Sequence, residues 1–320
     1  MATYKGIQGF TIQNLSADPS NPIEGQVWYN STSNVWKVEE TTAAGAWATG
    51  NNMNTARQLL AGAGTQTAGL ALGGEAPGNT GATEEYDGNS WTSSNPLNTA
   101  RRALAGAGTQ TEALAFGGYT TADSAATEEY DGNSWTNSNN LNTARNALAG
   151  AGTQTAGLAF GGSGPTGATE EYDGISWTSN PTGLNTARRN LAGCGTQTAG
   201  LAFGGDDPAP GLLSATEEYN GSTWTSSNPL NTARYSLAGA GIQTAALAFG
   251  GDVPPNTGAT EEYDGNSWAT SPGSLNTARS ILAGAGTQAS ALAFGGNGPT
   301  GATEEWTGAG AAVTKTITVS

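Results

Sequence analysis

The sequence predicts an all-β fold, a six-bladed β-propeller with a short N-terminal extension, and three observations predict it. The tetrapeptide Asn-Thr-Ala-Arg ends at Arg57, Arg101, Arg145, Arg188, Arg234 and Arg279, at spacings of 44, 44, 43, 46 and 45 residues. A second marker, Ala-Thr-Glu-Glu followed by an aromatic residue, begins at Ala82, Ala126, Ala168, Ala215, Ala259 and Ala302, in the same phase. A period in the mid-forties suits either a helix-pair solenoid or a four-stranded propeller blade. Glycine decides between them: 49 of the 320 residues are Gly, about twice the usual share, and they recur too often in each unit for any ten-residue helix.

In the second copy, strand a is expected over Ala103 to Thr109, b over Glu112 to Phe116, c over Thr127 to Asp131 and d over Ser134 to Asn137. Asp131-Gly132 signals a tight c to d hairpin, because Gly takes a positive φ without a Cβ clash. Strand a, Leu-Ala-Gly-Ala-Gly in most copies, carries little bulk and fits the crowded axis of a ring. Leu114 and Phe116 on b, Tyr130 on c and Trp135 on d then thicken the blade outward into a wedge, each aromatic removing about 150–250 Å² from water. The Gly-Gly that closes strand b allows a close backbone neighbour. Trp47 precedes Arg57 by 10 residues, as Trp91 precedes Arg101, so Gly45 to Thr49 is expected to supply strand d of the last blade. Val313 to Val319 is the competing strand for that slot, and an incomplete blade from Gln26 to Glu39 is the route to seven blades. Trp47, Trp91, Trp135, Trp177, Trp224 and Trp268 are structural residues on this reading.

The Gly117-Gly118, Tyr130 and Trp135 set recurs as Gly161-Gly162, Tyr172 and Trp177, and as Gly204-Gly205, Tyr219 and Trp224. This pattern resembles the kelch repeat over roughly residues 51 to 306, and the resemblance implies a propeller without implying an activity. Residues 18 to 38 read as a Pro-punctuated linker and a short aromatic hairpin that turns over Asn30 to Asn34. That segment is similar to N-terminal attachment regions of tailed-phage virion proteins. The NTAR, LAGAGTQTA, LAFGG and ATEEY wording likewise resembles kelch-like proteins of marine tailed phages. The resemblance implies an attachment arm over 1–44 that engages other virion proteins and a propeller over 45–320. It also implies a place on the virion, as tail fibre, appendage or capsid decoration.

Composition excludes much else. Charged residues are 12% of the chain, with 26 acids against 11 Lys and Arg for a net −15, so no basic surface is expected for nucleic acid or anionic lipid. No run approaches the ~18 apolar residues of a membrane span. The first residues lack an apolar signal core, so no secretory signal is expected and assembly in the host cytoplasm is. There is no His, and the single Cys194 stands where other copies have Ala63, Ala107, Ala151, Ala240 and Ala285, as a small core residue. No cofactor, metal or catalytic residue is expected.

Twelve of the 26 acids form the pairs Glu84-Glu85 through Glu304-Glu305, and six of the eight Arg are the NTAR arginines. Strand alternation is expected to put one Glu of each pair between blades and the other in solvent. Copying in every blade suits structural Arg to Glu ties better than an active site, which is asymmetric. Binding is expected instead in the b to c loops, which differ in length and wording, with Tyr119, Asp206, Asp207, Leu212 and Leu213 as the contact residues. The expected function is therefore a non-enzymatic virion structural protein that binds a host-surface glycan or protein, or another virion protein. A cellular kelch-type protein interaction module is the competing reading.

Overall fold

A computed structural model of the chain describes residues 13–19, 25–41, 44–209, 211–310 and 312–317. Much of the expected arm and the last two residues of the expected 313–319 strand lie outside the described residues. The chain divides into two units, one of residues 1–45 with 308–320 and one of residues 46–307. All described regular structure is strand, with no helix among the described residues.

The first unit holds a four-stranded sheet in the order Gln13–Leu15, Val27–Asn30, Val35–Thr41 and Ala312–Ile317. The first pair is parallel and the other two are antiparallel. The aromatic hairpin turns over Ser31 to Asn34, where Asn30 Oδ1 accepts the backbone N–H groups of Thr32 and Ser33 and Asn34 takes φ +55°. Asp18 receives Lys37 Nζ at 2.5 Å, Asn30 Nδ2 at 2.7 Å and the indole N–H of the fully buried Trp28 at 3.0 Å. Those donors, Lys37 first, lower the Asp18 pKa to about 2. Residues 312–317 thus pair with 35–41, so this strand does not fill the last blade, and the expected second domain ends short of residue 320. The Gln26 to Glu39 segment belongs to this sheet rather than to a seventh blade.

The second unit is a β-propeller of six four-stranded antiparallel sheets. Blade 2 runs Ala105–Gly108, Ala113–Phe116, Thr127–Tyr130 and Trp135–Ser138 as strands a to d. Strand a starts two residues later than expected because Ala103 has φ +51°, outside the extended region. Blade 6 takes strands a to c from Ala283–Gly286, Ser290–Phe294 and Thr303–Thr307, and strand d from Ala46–Gly50, with Trp47 opposite Trp306. The segment expected to close the ring does so, shifted by one residue.

Closure is written in backbone hydrogen bonds. The N–H of Ala103 donates to Leu59 O, Ala147 to Ala103, Asn190 to Ala147, Ser236 to Asn190, Ile281 to Ser236 and Leu59 to Ile281, all at 2.8–3.0 Å. Each of these six residues has φ between +49° and +54°, a strained state for a side chain-bearing residue. The circuit returns to its start after six donors, one per blade.

Side-chain size explains the rest of the wedge. A Cβ on Gly150 of strand a would sit 2.5 Å from Phe116 Cζ and 3.1 Å from Gly106 O in the preceding blade. The small residues of the Leu-Ala-Gly-Ala-Gly strand are therefore set by the approach of the next blade. Farther out, Phe116 meets Trp177 of blade 3 with ring centroids 4.9 Å apart, and Phe160 meets Trp224 at 5.0 Å. Such tilted contacts are the favourable geometry for aromatic pairs.

Candidate functional site

The charged residues copied in every blade are consumed by the scaffold. Each NTAR arginine is 0–2% exposed and lies on the connector that enters a blade from its predecessor. Arg188 Nη1 reaches Glu217 at 2.6 Å, Arg145 Nη2 reaches Glu170 and Arg234 Nη2 reaches Glu261 at 3.1 Å, and Arg57, Arg101 and Arg279 pair with Glu84, Glu128 and Glu304. The same carboxylate accepts backbone N–H groups of the connector, as at Asn98 with Glu128 Oε2 2.6 Å away. The second guanidinium nitrogen donates to a strand-b carbonyl, Ala115 O at 3.2 Å for Arg101. Burial lowers the arginine pKa values and the paired glutamates oppose that shift. The unit is an ion pair that pins a connector onto its own blade.

In five of the six pairs the second Glu, expected in solvent, is instead bonded by a tyrosine; the exception is Glu262, which precedes the blade where Trp306 stands for Tyr. Glu85 is half-buried and accepts the hydroxyl of Tyr130 in the next blade at 2.5 Å. Tyr86, Tyr172, Tyr219 and Tyr263 make the same bond to Glu305, Glu129, Glu171 and Glu218. Burial first, and the glutamate second, push Tyr130, Tyr172 and Tyr263 up to about 12. Two further ties complete each wall. Every strand-d Trp donates its indole N–H to a Thr Oγ1 of the preceding blade at 2.9 Å, Trp135 to Thr83 and Trp47 to Thr260 among them. Every a to b turn Gln spans two carbonyls of the preceding blade, Gln110 to Gly69 O at 3.0 Å and Tyr86 O at 2.7 Å. Composition alone gave no sign of the Gln and Thr roles, yet their recurrence in all six copies was the available signal.

The b to c loops and the d to a connectors share one face of the ring. There the residue after each NTAR Arg meets the residue after each Gly-Gly through the backbone. Glu75 N donates to Gln58 O at 2.8 Å, Tyr119 to Arg102 at 2.7 Å, Ser163 to Asn146 at 2.8 Å, Asp206 to Arg189 at 2.9 Å, Asp252 to Tyr235 at 2.8 Å and Asn297 to Ser280 at 3.0 Å. The return backbone bond is present in blades 1, 2, 4 and 5, while in blades 3 and 6 Ser163 Oγ and Asn297 Oδ1 accept it instead, and no two blades share the same pair of side chains. Gln58 Nε2 donates to Glu75 Oε2 at 3.0 Å, the Arg102 guanidinium lies 4.9 Å over the Tyr119 ring, and Tyr235 OH donates to Asp252 Oδ2 at 2.9 Å.

The expected contact residues fall in two of these loops, in blades 2 and 4. Tyr119 is half-buried beneath Arg102 and donates its hydroxyl to Thr121 O at 3.0 Å. Asp206 and Asp207 pair with Leu212 and Gly211 in a two-stranded hairpin. Asp206 also takes Arg189 Nε at 3.2 Å and Asn190 Nδ2 at 2.7 Å. Leu213 is 9% exposed, and its backbone N–H donates to Gly205 O at 2.9 Å. It is a core residue of the loop rather than a contact, and the missing half of the surface is the residue after each NTAR Arg.

The opposite face has a cavity of about 460 Å³ with Glu112, Glu129, Asp131 and Gln154 in its wall. Its Asp-Gly turns close on themselves, Asp131 Oδ1 accepting the N–H groups of Asn133 and Ser134 at 2.9 and 2.7 Å. On the axis, two small cavities of about 80 and 110 Å³ lie against the six strand-a segments. Cys194 is buried on strand a of blade 4, and burial pushes its thiol up to about 12. Among the described residues no three His, Cys, Asp or Glu side chains are grouped to hold a metal ion. No family model matches the chain, and no curated protein matches it.

Proposed function

We propose that the protein is a non-enzymatic structural component of a phage virion, its kelch-like propeller displayed for attachment to the host surface or to another virion protein. The observation that supports this reading is the division of labour inside the repeat. Acids and arginines copied in every blade serve the walls and connectors, while the side chains that differ between copies gather on one face. A rigid ring that presents variable loops is a binding scaffold. The wording of residues 18 to 38 and of the repeats, similar to phage virion proteins, supplies the location. Residues 1–44 then serve as the arm toward other virion proteins. Immunogold labelling of purified particles with an antibody raised against the ring tests the reading. Gold on particles is expected. Unlabelled particles, with the protein in soluble complexes of the host cell, would overturn it in favour of a cellular interaction module.

A further inference from the structure

Blades 1 to 5 are each built within one repeat, from strands taken in chain order. The two remaining four-stranded sheets are not: each joins a segment before residue 51 to a segment after residue 302. The same two segments pair both times and keep one register. Trp36 lies opposite Ile317 and Thr41 opposite Ala312 in the first unit, and Ala46 lies opposite Thr307 and Gly50 opposite Thr303 in blade 6. Four residues separate the two pairings along either segment. The first unit depends more on its borrowed strand than blade 6 does. Its one large buried apolar side chain among the described residues is Trp28. Val27–Asn30 pairs with four residues of the Val35–Thr41 strand, and Ala312–Ile317 pairs with six. A hairpin of that size with so little core is marginal by itself. Blade 6 holds its borrowed strand by further ties: Trp47 meets Phe249 and Trp306 at 4.8 and 5.4 Å, donates to Thr260 Oγ1 at 2.9 Å and accepts Asn276 Nδ2 on its carbonyl at 3.3 Å.

We propose that the 312–317 strand is a completeness check on attachment: the first unit folds, and so becomes competent to engage other virion proteins, only on a chain synthesised through residue 317 with its ring closed. The inference rests on the attachment reading and adds its regulation. Residues 25–41 are synthesised before the ring, yet the longest pairing of their sheet is with a strand made after it. Before closure that pairing has to bridge every blade. Once Ala46–Gly50 is seated against Thr303–Thr307, it has to bridge only four residues on each side, and the entropy of bringing the segments together falls accordingly. The ring therefore closes first and the first unit folds second. A chain ended before residue 312 has the Gln13–Leu15, Val27–Asn30 and Val35–Thr41 segments without the strand that completes their sheet, and it is kept out of particles.

Hydrogen exchange read by mass spectrometry on full-length variants tests the proposal. The N–H and carbonyl of Glu39 bond to Gln26 and Gly25, so by strand alternation the backbone groups of Val38 face its other partner, Lys315. Lys315→Pro removes the N–H donated across that pair. Thr316→Pro removes one directed away from the 35–41 strand, where an edge tolerates proline. Exchange over residues 25–41 is expected to speed by about tenfold or more in Lys315→Pro, the scale of a strand that has lost its partner, and to match the parent in Thr316→Pro. Peptides over 46–50 and 303–307 should exchange as in the parent in both variants. With an epitope tag, the parent and Thr316→Pro are expected in purified particles and Lys315→Pro is expected to be absent from them. Unchanged exchange over 25–41 in Lys315→Pro, the same acceleration in Thr316→Pro or in the ring peptides, or Lys315→Pro incorporated like the parent would overturn the completeness check and leave attachment standing. A parent protein absent from particles would overturn the attachment reading, and the check with it.

Discussion

The walls between blades and the loop face of the ring are built from the same repeat, yet they treat its residues in opposite ways. In the walls and connectors, Trp to Thr, Gln to carbonyl and Arg to Glu recur in all six blades, and so does the buried Nε that each NTAR arginine leaves without a hydrogen bond. On the loop face one backbone bond per blade is fixed, and Arg102 over Tyr119 occupies the place that Asn146 and Ser163 take one blade later. The difference teaches that copying marks the residues the fold needs, and departure from the copy marks what the fold leaves free. It also explains the seam. At the closure of blade 6, Trp306 replaces Tyr and keeps the ring contact with the strand-d Trp, 5.4 Å from Trp47, but its indole N–H goes to Gln288 O in place of the hydroxyl bond to a neighbouring Glu.

The sharpest way to break the comparison is a pair of arginine substitutions. Arg145→Ala strips the partner from Glu170 in a pair whose side chains are 1% and 2% exposed, and breaking such a buried pair costs about 3–5 kcal/mol. Arg102→Ala removes a partly exposed pair with Glu75, worth about 1 kcal/mol or less. Denaturant unfolding should separate the two clearly. Equal losses would show that wall and loop face carry the same load.

A smaller effect is expected where the walls touch without polar groups. Gly150→Ala drives a methyl into Phe116 and the Gly106 carbonyl, an overpacking that costs about 1–3 kcal/mol. Gly78, in the b to c loop of blade 1, has nothing within 4 Å of an added Cβ, so Gly78→Ala should leave the melting temperature within a degree or two. A comparable loss from Gly78→Ala would contradict the idea that the loop face is unconstrained.

Alkaline pH tests the walls without mutation. The tyrosine hydroxyls hold their protons more tightly in the ring than at the ordinary value of 10, Tyr130 to about 12. Between those values the unfolded chain binds fewer protons than the folded one, so stability falls as pH rises. Below pH 10 this contribution is fully present. Tyr130→Phe should cost about 1 kcal/mol at neutral pH, one hydrogen bond, and should shallow the alkaline decline by one tyrosine's share. An unchanged pH profile in that variant would remove Tyr130 from the wall's titration.

Much of this was legible in the residues themselves. The 44-residue period and the glycine density decide the fold class, and the Trp47 spacing places the closing strand, because a ring has one vacancy for a strand of that kind. Charge pairing of Arg145 with Glu170 follows from copying alone. Less was visible where a role depends on direction. Alternation says that Glu84 and Glu85 face opposite ways, but not that the connector folds over the first and the neighbouring Tyr reaches the second. Leu213 reads as a loop residue and turns inward because a hairpin at Asp206 redirects the chain. The residue after each NTAR Arg escaped notice since its partner lies 17 residues away, after the Gly-Gly, and only the folded blade joins them.

The smallest expected effect uses a departure from copying on the innermost strand. Cys194 stands at an Ala position of strand a in blade 4, opposite Leu201, so Cys194→Ala restores the consensus and should change stability by less than about 1 kcal/mol. In the native protein the thiol is 7% exposed and held protonated, its pKa pushed up to about 12, which makes it unreactive until its strand opens. Thiol labelling therefore times the opening of one blade. Arg188→Ala, which unties the connector of that blade, should speed labelling far more than Arg102→Ala, two blades away on the loop face. Labelling that is fast in the parent protein, or equally accelerated by both substitutions, would mean that the buried ties do not govern how the ring opens.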